Sequence, residues 1–195
     1  MPPAAGTQAR AEGLWRENGE RGVVIYTIGH SNVEPHEIVE LLRSYGVEAV
    51  LDVRSSPYSR HAPQFNRETL AEELELAGIH YVYGGNHLGG RPKDPSCYDP
   101  HDEERVLYEE VEKKDWYLRG IEGLIQFVSE GSTAVMCAEE DPSHCHRHLL
   151  IAQTLLDRDI EVQHIRHKGG ETWTEQARKT LDREAQQLEF GDQWT

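Results

Sequence analysis

Five short apolar runs separated by helical patterns constrain this fold more than anything else in the chain. They are Val23–Ile28 (VVIYTI), Ala49–Val53 (AVLDV), Ile79–Tyr83 (IHYVY), Thr133–Met136 (TAVM) and Glu161–Ile165 (EVQHI). β-Branched and aromatic residues dominate them, as in buried strands. Helical patterns fill the gaps, over residues 34–45, about Glu68 to Ala77, Tyr117–Val128 and about His146 to Arg158. Short strands alternating with helices imply a three-layer α/β fold. The sheet is open and mostly parallel, with helices on both faces, and right-handed crossovers fix its hand.

The ends of the chain read differently. Residues 1–21 have no apolar core of the kind a secretory signal needs, and they read as a disordered leader. Residues 22–168 form the α/β domain. Residues 169–195 read as a helical tail, with a polar helix over Glu171–Leu188 anchored by Leu181 and Leu188. The acidic stretch Asp102–Asp115 reads as a solvated helix with Val106, Leu107 and Val111 as a thin apolar stripe. Asn32 is the expected cap of the first helix, with Glu34 and Pro35 in its first turn.

Composition limits the function classes. No apolar stretch approaches the roughly 20 residues of a membrane span. The three cysteines, Cys97, Cys137 and Cys145, have no framework spacing, which argues against a disulfide scaffold and for a cytoplasmic setting. A formal net charge of −15 opposes a broad nucleic-acid surface. It does not oppose a local basic pocket.

The unusual residues fall in particular places. GHSN follows the first strand, DVRSSPYSR the second, LGGRP the third and CAEEDPSHCHR the fourth. In an open parallel sheet these loops leave from one edge, the carboxyl ends of the strands, where such folds bind ligands. Arg54, Arg60, Arg91 and Arg147 bring positive charge to that edge, and guanidinium suits phosphate or carboxylate. Ser31, Asp52, Gln64 and Asn66 are further candidates for ligand contact. The bland alternative is that the arginines form internal salt bridges with Asp52, Glu139 and Asp141.

Cys137, Glu139, His30 and His146 are the candidate catalytic residues. Cys137 is a nucleophile if its pKa is depressed, and otherwise an inert core thiol. Glu139 suits acid–base work. Cys137, Cys145 and His146 form an alternative mixed thiolate–imidazole metal site. The spacing C-x7-C-H matches no ordinary zinc pattern, and neither cysteine stands at C-x5-R spacing from Arg147.

The segments YTIGHSN, LDVRSSPYSRHAPQFN, LGGRP, MCAEEDPSHCHR and HRHLLIAQTLL, taken together, resemble the DUF488 family, prokaryotic proteins of unknown function. The resemblance covers about Val23 to His167. It implies a single α/β domain. It marks Gly29, His30, Ser31, Asp52, Arg54, Ser59, Arg60, Gln64, Phe65, Asn66, Arg91, Cys137, Glu139, Cys145, His146 and Arg147 as signature positions. It leaves the reaction and any cofactor unknown. The leading expectation is an enzyme acting on an anionic, phosphate-containing or nucleotide-like ligand. The alternatives are a non-catalytic nucleotide or nucleic-acid binding module and a Cys/His metal-binding protein.

Overall fold

A computed structural model describes residues 24–180. The leader read over residues 1–21 lies outside the described residues, as does the tail beyond residue 180. Strand β1 (Val24–Gly29) leads to helix α1 (Pro35–Ser44), strand β2 (Ala49–Asp52), helix α2 (Arg67–Leu76) and strand β3 (His80–Tyr83). A single turn α3 (Gly85–Leu88) opens a long connection. That connection carries a hairpin, β4 (Tyr98–Asp99) and β5 (Asp102–Val106), then α4 (Tyr108–Val111) and α5 (Asp115–Val128). Strand β6 (Thr133–Cys137) follows. Beyond its loop, a π-helical stretch Arg147–Ala152 continues as α6 (Gln153–Leu156), and strands β7 (Glu161–Lys168) and β8 (Glu171–Gln176) close the sheet.

The six-stranded sheet runs β3-β2-β6-β1-β7-β8, parallel except for β8. Side chains alternate between its faces. On β6, Ala134 and Met136 pack with Ile38 and Leu42 of α1 and Leu70 and Leu74 of α2. Val135 and Cys137 pack on the other face with Ile121 and Leu124 of α5 and with Leu150 and Leu155. This is the expected three-layer α/β architecture. The fully buried pattern of β6 is that of a central parallel strand.

The register matters for function. Gly29 pairs with Cys137, and Asp52 pairs with Met136. The ends of β1, β2 and β6 are therefore level, and their loops leave side by side. The helix after β1 lies on one face and the helix after β6 on the other. That reversal opens a crevice between them, the usual ligand position in such sheets.

Three local readings are corrected. The cap of α1 is Glu34, not Asn32: Glu34 and Glu37 form a reciprocal capping box, with Pro35 at the first helical position. Asn32 instead faces Gln64. Asp102–Asp115 is not one helix. Tyr98 pairs with Val106 across an antiparallel hairpin, and only the turn around buried Val111 is helical before α5 begins at Asp115. Three apolar side chains were too few to hold a longer helix against the core. Glu171–Gln176 is a strand, not the start of the polar helix. Gly169 and Gly170, with φ of +61° and +84°, make the tight left-handed turn that folds β8 back on β7.

Among the described residues no helix is long and apolar enough to cross a membrane.

Candidate functional site

The centre is built on β6 and the loop that follows it. Cys137 ends the strand. Asp141 caps a short turn, Pro142–His144, by accepting from the Ser143 backbone N–H at 2.9 Å. The chain then returns so that Cys145 and His146 face Cys137. Arg147 holds the loop in that shape. Its guanidinium is wholly buried and donates to the carbonyls of Glu139 and Glu140. The Glu140 carboxylate is held in turn by Arg166, whose Nε donates at 2.7 Å. Gly29 lets β1 pass directly under the loop: a Cβ there would stand 1.6 Å from the Glu139 carbonyl oxygen.

The ligating atoms of Cys137, Cys145 and His146 lie within 4.8 Å of one another. His146 Nδ1 is 3.7 Å from Cys137 Sγ and 3.8 Å from Cys145 Sγ. Its other nitrogen, Nε2, is 3.1 Å from the Val53 carbonyl. A carbonyl only accepts, so Nε2 carries the proton and Nδ1 faces the sulfurs. Gly90 lies flat against the ring, where a Cβ would come within 2.6 Å of it. Glu139 Oε2 is 3.1 Å from Cys137 Sγ and 3.6 Å from Cys145 Sγ.

The two thiols ionise unequally. Cys137 is pushed well above its usual range by its hydrogen bond to Cys145, by burial and by the charge on Cys145. Burial opposes ionisation of Cys145 too. The hydrogen bond from Cys137 and the charges of Arg147 and His146 outweigh it and hold that thiol well below its usual range. Burial also opposes protonation of His146, but Cys145 raises its pKa.

Beside this cluster runs a second network. Asp52, fully buried, takes Arg54 Nε at 2.9 Å, Arg54 Nη2 at 2.7 Å and the Tyr81 hydroxyl at 2.7 Å. Arg54 Nη1 reaches His30 Nε2 at 3.1 Å. His30 Nδ1 donates to the Ser31 carbonyl at 2.6 Å, and the ring stacks on Phe65 with centroids 4.1 Å apart. Burial, and then the Arg54 charge, pull the His30 pKa down to about 4. His30 is thus a neutral acceptor that steadies Arg54.

Both networks border a cavity of about 580 Å³, in the size range of small-molecule sites. Cys137, Glu139, Cys145 and His146 line it, together with Arg54, Ser55 and Arg91. The hairpin β4–β5 and the following turn close its far side with Asp102, Glu104, Arg105 and Tyr108. The sequence reading missed these four, because it placed them on a solvated helix. Four charged residues followed by Val106, Leu107 and Tyr108 show no strand-like alternation, so the residue pattern did not announce the hairpin.

Ser31, Arg60, Gln64 and Asn66 lie outside that lining. Ser31, at φ +51°, borders a different cavity between α1 and the β7–β8 turn. Arg60 is exposed and is not among the residues lining the first cavity. Asn66 accepts from the Ser59 backbone N–H at 2.8 Å, and Gln64 lies 3.4 Å from Asn32 and from the Val33 carbonyl. Both shape the loop after β2. Arg91 differs from Arg54 and Arg147. Its backbone N–H donates to Ser55 Oγ at 2.8 Å, and its exposed guanidinium has no ion-pair partner among the described residues.

No curated protein and no solved structure matches the chain. Residues 34–154, well over half of the chain, match the model of the domain of unknown function DUF488, and the chain belongs to that family.

Proposed function

We propose that the protein is an enzyme acting on a small anionic ligand, phosphate-bearing or nucleotide-like, in the cavity at the carboxyl ends of β1, β2 and β6. One observation carries this reading. Arg91, a guanidinium without an acid partner among the described residues, stands on the same cavity as Cys137, Glu139, Cys145 and His146. An unpaired arginine beside a cluster of reactive groups suits a substrate held by its charge while a neighbouring bond reacts.

Arg91 binds the anion. Arg54 adds charge to the wall, although Asp52 neutralises most of it. Arg105 is the other cation there, paired with Asp99 at 3.3 Å. Arg147 has no part in ligand contact, because it is wholly buried outside the cavity lining and donates to two carbonyls. Glu139 is the acid–base group, and the Cys137–Cys145–His146 cluster is the reactive centre.

The test is a panel of nucleotides and phosphorylated metabolites read by thermal stabilisation. A ligand present at a hundredfold excess over its Kd adds about 2.7 kcal/mol. For a domain of this size that raises Tm by roughly 5–10 °C. The shift is expected in the native chain and absent in Arg91→Ala. No stabilising anion, or equal stabilisation of Arg91→Ala, refutes the anion pocket. The native chain should also convert the bound ligand, whereas Glu139→Gln should bind it unaltered. A ligand recovered intact from the native chain would make the protein a binding module.

A further inference from the structure

We propose that Cys137, Cys145 and His146 hold a zinc-type divalent metal, with Glu139 bordering an open fourth position that faces the cavity. The inference rests on the cavity being the site of chemistry, and it names what stands at the centre.

The distances support it first. A tetrahedral ion with metal–sulfur bonds of about 2.3 Å and metal–nitrogen bonds of about 2.0 Å separates its ligand atoms by roughly 3.5–3.8 Å. The two sulfur–nitrogen separations here are 3.7 and 3.8 Å. Glu139 Oε2, at 3.1 and 3.6 Å from the sulfurs, borders the remaining side. Two sulfurs and one ring nitrogen thus lie within 4.8 Å of one another, with a carboxylate oxygen beside them.

The second support is the orientation of the imidazole. Metal-binding histidines commonly donate their far N–H to a carbonyl or carboxylate, which fixes the tautomer and aims the lone pair. His146 does so through Val53. Gly90 against one side of the ring keeps the plane in place. His146 Nδ1 stands at nearly equal distances from the two sulfurs, 3.7 and 3.8 Å.

The third support is the rigidity and openness of the site. Cys137 is anchored by the register of a central strand, and the returning loop is pinned by Arg147. Two sulfurs and one imidazole form an incomplete tetrahedral set, the arrangement of catalytic zinc rather than of a closed structural site. All three ligands and Glu139 line the cavity, so the vacant position opens toward substrate. That explains why the spacing C-x7-C-H resembles no zinc finger. The ligands come from a strand end and a helix start, not from paired knuckles. Soft sulfur with imidazole selects zinc or iron over magnesium or calcium. Such an ion would polarise an anionic group docked on Arg91, and Glu139 would accept a proton at the open position.

The test needs no substrate, so it can fail separately from the enzyme reading. The full chain is purified under reducing conditions, analysed for metal, stripped with a chelator and titrated with Co²⁺. About one metal per chain is expected, with the strong near-ultraviolet absorption of cobalt bound to thiolate. Cys145→Ser and His146→Ala should lose at least tenfold in cobalt affinity. Cys97→Ser, which alters a buried thiol outside the centre, should retain it. Glu139→Gln should still bind one metal. A native chain that takes up no Co²⁺ and shows no thiolate absorption overturns the proposal, whatever the variants do. So does undiminished cobalt binding in Cys145→Ser and His146→Ala.

Discussion

Gly29→Ala is expected to lower stability by at least about 3 kcal/mol and to disorganise the cysteine–histidine centre with it. The reason is space, not backbone freedom. An added Cβ would meet the Glu139 carbonyl oxygen at 1.6 Å and the Glu140 nitrogen at 2.8 Å. Both are main-chain atoms, so no rotamer change relieves the clash. The Glu139 carbonyl also accepts from buried Arg147, and the Gly29 carbonyl accepts from His167 Nε2 at 2.6 Å. Moving either strand or loop breaks one of these. A substitution elsewhere in the chain provides the comparison. A Cβ at Gly123, on α5, would meet nothing within 4 Å. Gly123→Ala should therefore stabilise by about 1 kcal/mol or less. Urea unfolding of both variants decides the matter. Equal effects at the two glycines would show that β1 does not pass beneath the loop as described.

Asp52→Ala is expected to cost about 3–5 kcal/mol, because it strands a buried cation. Asp52 is fully buried and Arg54 is 6% exposed. The carboxylate accepts two bonds from the guanidinium, one from the Arg54 backbone N–H at 3.1 Å and one from Tyr81. Without it the guanidinium keeps only His30 as a named partner. Removing the charge as well should recover part of the loss. The double variant Asp52→Ala/Arg54→Met should then be more stable than Asp52→Ala alone. A double variant worse than the single by the full cost of Arg54→Met would show that the two side chains act independently.

Much of the architecture was readable in the sequence, for a physical reason. A parallel strand buried on both faces must be almost wholly apolar, and runs such as TAVM have few other uses. Once the strands were placed, topology brought GHSN, DVRSS, LGGRP and the CAEEDPSHCHR loop to one edge. Cys137, Glu139, His146, Arg54 and Arg91 do share a cavity.

What the sequence could not reveal was which partner each charge chooses. Arg54 looked like a ligand-binding arginine and is tied to Asp52, as the salt-bridge alternative allowed. Arg147 also looked like one, but its partners are main-chain carbonyls, which no residue pattern announces. The acidic hairpin was read as a helix because its charged residues carry little periodic signal. Its pairing depends on Tyr98 meeting Val106 across a turn. The Gly169–Gly170 turn was the legible clue that went unused, since two adjacent glycines before a Thr-Trp-Thr run suit a hairpin better than a helix.

The most direct test of the central claim, that the cavity beside Arg91 is the anion-binding site, is a crystal of the native chain soaked in tungstate. The ion is a phosphate-like probe that anomalous scattering locates without bias. The account predicts a peak against the Arg91 guanidinium, inside the cavity lined by Cys137, Glu139, Cys145 and His146. A cavity that stays empty while tungstate binds elsewhere, such as at Lys168 beside the β7–β8 turn, would contradict it.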